Sequence, residues 1–194
     1  MTTLDLNEKF WWYLSRASGI VAWLLLAAAV IWGLLLSTKI LQTKRKPAWL
    51  LDLHRGLGGM AVIFTTLHLV GLVLDSYVVF GWRELFIPFA SEWEPEAVAW
   101  GIVALYILLT VQGTSLAMKR LPRRLWRWVH FTSFGLFFTA AIHGAHAGTD
   151  ATSMWYRAGS VAVILAAMVV ALYRTMTKRS ACRSESARTL EQVA

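Results

Sequence analysis

Acidic side chains are scarce in this sequence, cysteine is almost missing, and several long stretches carry no charge at all. Only 11 of 194 residues are Asp or Glu, against 19 Lys and Arg, for a formal net charge of +8. The single cysteine, Cys182, excludes an internal disulfide. Ala17–Ser37, Gly56–Leu74, Ala97–Met118 and Trp128–Thr149 contain no Asp, Glu, Lys or Arg. A fifth such window, Ala158–Tyr173, is shorter and is extended by Trp155 and Tyr156. A bilayer core about 30 Å thick takes about 20 apolar residues of helix, so each window can cross it.

What is present points the same way. Apolar residues make up 57% of the chain and the mean hydropathy is +0.53, which argues against a soluble domain. The expected fold is all-α, an integral-membrane bundle of five transmembrane helices. The first window is too long, and wrongly flanked, for a cleaved signal. Eleven tryptophans suit interfacial belts, with Trp11-Trp12, Trp126/Trp128 and Trp155-Tyr156 at window edges. The basic residues lie in loops beside the windows, so membrane topology explains the high pI and no nucleic acid is called for.

Charge asymmetry gives the orientation. One side of the five windows collects 15 of the 19 basic residues, among them Lys39, Lys44, Arg45, Lys46, Arg55, Arg123, Arg124, Arg127, Lys178 and Arg179. The other side has Lys9, Arg16, Arg83 and Arg157, with eight acids including Asp5, Glu8, Asp75, Glu84 and Asp150. The positive-inside rule makes the first side cytoplasmic, with the N-terminus outside and the C-terminus inside. Residues 1–11 then form an extracytoplasmic segment, 12–174 the membrane domain, and 175–194 a polar cytoplasmic tail expected to be mobile. The outer loop, residues 76–96, carries "LFIPFA", an interfacial segment broken at Pro88.

All five histidines fall in the second and fourth windows or at their edges: His54 and His68, then His130, His143 and His146. With five crossings these two helices run parallel. At 1.5 Å rise per residue, His54 and His68 stand roughly 21 Å apart, and His130 and His143 roughly 19.5 Å. Two imidazoles thus share a depth near the cytoplasmic face, and two share a depth nearer the outside. Fourteen residues return a helix to within roughly 40° of its starting direction, so His54 and His68 share a face. Thirteen advance it to about 220°, so His130 and His143 need a bend or local unwinding. Height favours His143 over His146, which remains the alternative outer ligand.

One facing pair per level is the arrangement that six-coordinate haem iron requires. Interhelical hydrogen bonding is the ordinary use of a single membrane histidine. A zinc site would need all four to converge on one ion, which 20 Å of separation forbids, roughly, at bond lengths of about 2 Å. A proton relay would recruit carboxylates, and none lies inside a window. No Cys-x-x-Cys-His is present, which excludes covalent c-type attachment. Gly56, Gly58, Gly59, Gly135 and Gly144 follow the histidines, as close approach of a flat macrocycle or ordinary small-residue contact between helices would ask.

"HRGLGG…LH" and "LPRRLWRWVHFTSFGLFFTAAIHG" resemble the ferric reductase-like transmembrane domain. That superfamily includes ferric reductases, the membrane part of NADPH oxidases and the haem-binding subunit of bacterial methionine sulfoxide reductase. "WYLSRASGIVAW" and "IPFASEWEP" are similar to bacterial members, and the likeness runs from about Trp12 to Tyr173. The resemblance implies two non-covalent b haems, the cytoplasmic-side one on His54 and His130 and the outer one on His68 and His143. It implies electron transfer from a cytoplasmic flavin- or NAD(P)H-linked donor to an extracytoplasmic acceptor, in the cytoplasmic membrane of a bacterium. Arg16, Arg55 and Arg127 are candidate propionate contacts. Larger members continue into a flavin- and nucleotide-binding domain; this sequence has no Gly-x-Gly-x-x-Gly loop, so a separate flavoprotein or a quinol is the expected donor. A quinol-linked subunit of a larger complex and a haem-free transporter are the rival readings.

Overall fold

A computed structural model describes the backbone of residues 3–38, 47–76, 80–148 and 150–193, and the side chains of 9–38, 47–76, 80–148 and 150–177. Lys39, Lys44, Arg45, Lys46, Asp5, Glu8, Cys182 and the basic side chains from Lys178 onward lie outside these. The described residues form helices and no strand: α1 (Thr3–Leu36), α2 (Ala48–Leu74), α3 (Trp82–Phe86), α4 (Pro95–Leu116), α5 (Arg123–Phe131), α6 (Ser133–Ala147) and α7 (Met154–Val193). A 3₁₀ turn, Met118–Arg120, leads from α4 towards α5. Parts of α1, α2, α4 and α7 are long and apolar enough to cross a membrane. α7 continues helical through Val193, into the stretch expected to be a mobile tail.

The fourth uncharged window differs from expectation. Instead of one continuous crossing it is two helices, α5 and α6, meeting at Thr132. The Thr132 amide turns back to the Val129 carbonyl at 3.0 Å, and its hydroxyl donates to the same carbonyl at 2.6 Å. A hydroxyl that competes for backbone acceptors loosens the helical ladder, and here the helix is interrupted two residues after His130. Four helices, not five, therefore meet the length and composition of a crossing among the described residues.

α1 and α2 form one antiparallel pair: Trp32 donates to the Leu50 carbonyl at one end, and Gly71 meets Ser15 at the other. α4 pairs with α5 and α6 in the same way. Between the pairs, Ala27, Val30, Leu34, Phe137 and Ala167 make a core in which Trp23 stacks on Phe137 at 5.9 Å. Phe80 and Leu85 from the loop and α3 are buried against Val98 and Ile102, closing the end of the bundle near His68 and His143. α3 ends before Pro88, and Trp82, Ile87 and Phe89 stay exposed beside it. Exposed Ile63, Leu109, Val161, Leu165 and Val169 present an apolar exterior suited to lipid, as a multi-pass membrane protein requires.

A Cβ at Gly71 would lie 2.8 Å from the Ser15 amide nitrogen. Gly71→Val is therefore expected to push α1 from α2, at about 1–3 kcal/mol for an overpacked contact. Thermal melting in detergent should fall; an unchanged midpoint would mean that the helices do not meet there.

Candidate functional site

The four histidines of the two levels meet across the bundle. His54 faces His130 with ring centres 5.9 Å apart, and His68 faces His143 at 6.2 Å. The first ring of each pair comes from α2; His130 is the penultimate residue of α5 and His143 lies on α6. The break at Thr132 lets two residues thirteen apart serve one partner helix.

Each ring is held by its Nδ1 edge. His54 Nδ1 donates to the Ala29 carbonyl at 3.1 Å, His68 Nδ1 to the Ser15 carbonyl at 2.8 Å, and His143 Nδ1 to the Ala97 carbonyl at 2.8 Å. A carbonyl only accepts, so Nδ1 carries the proton in these rings. Nε2 keeps its lone pair, as in histidines that bind metals. Among the described residues His130 has no carbonyl partner of this kind; its Nδ1 lies 3.5 Å from Ser115 Oγ. Trp126 stacks on it, with centres 5.0 Å apart and planes 21° apart.

Glycines on the neighbouring helices make these approaches possible. A Cβ at Gly19 would lie 2.9 Å from His68 Nδ1, one at Gly101 2.7 Å from His143 Nδ1, and one at Gly33 3.1 Å from His54 Cε1. The glycines read from the sequence behave differently. Gly56, Gly59 and Gly135 have nothing within 4 Å of such a Cβ, Gly58 meets Gln112, and Gly144 meets the Tyr156 hydroxyl.

The spacing within each pair suits one metal ion. With a nitrogen–metal bond of about 2 Å and roughly 1.1 Å from nitrogen to ring centre, opposed imidazoles stand about 6 Å apart. Edge-to-face contact of two bare rings covers the same range, so distance alone does not choose. The tethered Nδ1 atoms leave Nε2 of His54, His68 and His143 as the nitrogen with a free lone pair. Among the described residues no group of three or more His, Cys, Asp or Glu side chains is placed to hold a metal, so each level offers two imidazoles and no third side chain of these types.

His68 and His143 line a largely apolar cavity of about 280 Å³, which also touches Gly19 and Gly101. Arg16 and Asp150 stand at its edge as an ion pair, with the guanidinium 4.8 Å from the Trp12 ring centre. Arg16 thus reaches the cavity already partnered. Arg55 and Arg127 are exposed, and Arg55 lies 3.5 Å from Asp52. His146 is exposed in the last turn of α6 and belongs to neither pair. Sequence reasoning missed Gly19, Gly33, Gly101, Ser115 and the three carbonyl anchors. One signal was available: Gly19 and Gly33 stand fourteen residues apart, the interval between His54 and His68.

These features define a multi-pass, all-helical membrane protein built around two histidine pairs shared by facing helices. Residues 18–142 match the family model described as ferric reductase like transmembrane component, and the chain belongs to that family. The matched span contains His54, His68 and His130 and ends one residue before His143. No curated protein and no solved structure matches the chain.

Proposed function

We propose that this protein is a di-haem b cytochrome that carries electrons across the bacterial cytoplasmic membrane. His54 and His130 would hold the inner haem, and His68 and His143 the outer one. The observation that carries the reading is the doubled pair: ring separations of 5.9 and 6.2 Å, with Nδ1 of three rings tied to a backbone carbonyl. Each haem, when bound, would supply a one-electron iron couple. The chain's own residues hold the ligands at two depths roughly 21 Å apart, fix the tautomers of three of them and keep the outer site largely apolar.

Membership of the ferric reductase-like family supports electron transfer as the activity. In this reading α5 and α6 together make the fourth of five crossings. The exposed Arg123, Arg124 and Arg127 beside His130 support a cytoplasmic position for that end, leaving Arg16 and Asp150 outside. Electrons would come from a cytoplasmic flavin- or NAD(P)H-linked protein, or from quinol, and leave to an extracytoplasmic acceptor.

The test is a reduced-minus-oxidised spectrum of the purified full chain with a pyridine haemochrome assay. Two b haems per chain are expected. A single haem would reduce the protein to one level, and no visible absorbance would return it to the haem-free alternative.

A further inference from the structure

Three of the four paired histidines sit in the same kind of seat. Each meets a backbone carbonyl at one position of the neighbouring helix and a glycine four residues later: Ser15 and Gly19 for His68, Ala29 and Gly33 for His54, Ala97 and Gly101 for His143. On α1 the second seat follows the first by fourteen residues. Fourteen residues on from Ala97 and Gly101, α4 has Val111 and Ser115. Ser115 occupies the place of the glycine, and His130 meets its hydroxyl at 3.5 Å where the others meet a carbonyl at 2.8–3.1 Å.

A serine side chain fills the space an imidazole edge needs to reach the carbonyl one turn away. Its hydroxyl both donates and accepts, so it does not fix the proton on Nδ1 as a carbonyl does. At 3.5 Å it is also at the limit of a hydrogen bond. Trp126 stacking aligns the ring in compensation, without adding an acceptor for Nδ1. An N–H donated to a carbonyl raises the basicity of the ligating nitrogen and favours the more oxidised iron; a weaker anchor does so less.

We propose that Ser115 is a positioning residue that makes His130 the one loosely anchored ligand and so raises the reduction potential of the haem it shares with His54. The proposal rests on the di-haem reading. Ser115→Gly would let His130 settle towards the Val111 carbonyl, as its counterparts do. Ser115→Ala would keep the seat filled and remove the hydroxyl.

Potentiometric titration of the full-length haem-loaded protein reads the effect, with haem content measured on the same samples. Ser115→Gly is expected to lower one midpoint, by up to tenfold in the reduction equilibrium (59 mV for one electron), and leave the other in place. Ser115→Ala is expected to leave that midpoint unchanged or raise it. Two haems per chain with neither midpoint moved by Ser115→Gly would overturn the proposal while leaving the di-haem reading intact. A second measurement needs no haem: ¹⁵N NMR of histidine-labelled protein should find the Nδ1–H tautomer fixed in His54, His68 and His143, and mixed in His130. Four equally fixed rings would overturn the proposal with the di-haem reading untouched, whereas absence of haem from the unaltered protein would fail the di-haem reading and, with it, any effect of Ser115 on a potential.

Discussion

Full-length protein carrying His68→Ala is expected to bind one haem where the unaltered chain binds two. The substitution removes one of the two nitrogens at the outer level and leaves His143 alone there, 6.2 Å from an empty place. The His54–His130 pair is roughly 21 Å away along α2 and shares no anchor with the outer pair, so its haem should stay. Haemochrome content per chain should halve, one step should vanish from the redox titration, and electron passage from one side of a proteoliposome to the other should stop. His146→Ala is the paired measurement. That ring is exposed and lies outside both pairs, so both haems should remain. If His68→Ala keeps two low-spin haems, or His146→Ala loses one, the outer level has been assigned to the wrong side chains.

The second large effect needs no ligand to be touched. A Cβ at position 101 would lie 2.7 Å from His143 Nδ1 and 2.8 Å from its Cε1, which atoms essentially never tolerate. Gly101→Ala should therefore drive His143 off the Ala97 carbonyl and cost the outer haem, although all four histidines remain. The helix itself should gain, because alanine in a helix interior is favoured over glycine by up to about 1 kcal/mol. Loss of haem would therefore trace to the displaced ring and not to a weakened helix. Gly113→Ala on the same helix is the control, since its added Cβ meets nothing within 4 Å. Equal haem content in the two variants would show that the glycine seat does not matter to ligation.

Much of this site could be read from the letters. Helical rise turned fourteen and thirteen residues into two matched depths, and the rings pair at those depths. The helix break could have been suspected from "FTSFG", where adjacent hydroxyls offer the backbone an alternative to its own ladder. A long uncharged window hid it, because hydropathy counts side chains and says nothing of where carbonyl groups turn. The carbonyl anchors at Ser15, Ala29 and Ala97 were beyond reach for a related reason: every residue carries a carbonyl, and only packed coordinates say which one a ring meets. The glycines were legible only in part. Attention fell on those next to the histidines in sequence, whereas the ones that meet the rings, Gly19, Gly33 and Gly101, lie on the neighbouring helices. Arg16 was picked out for an anion, and the anion it meets in the structure is Asp150, a partner that sequence separation concealed.

The two helix pairs touch each other unevenly. α1 reaches α6 and α7 through a dry apolar core, and α2 meets the α4–α6 half through Val62, Leu69 and Leu72 as well as through its imidazoles. The two hairpins are therefore fastened on both flanks by ordinary apolar contact, with the imidazole pairs set among those contacts on one of them. On the di-haem reading, the halves would dock in the bilayer before any iron is acquired.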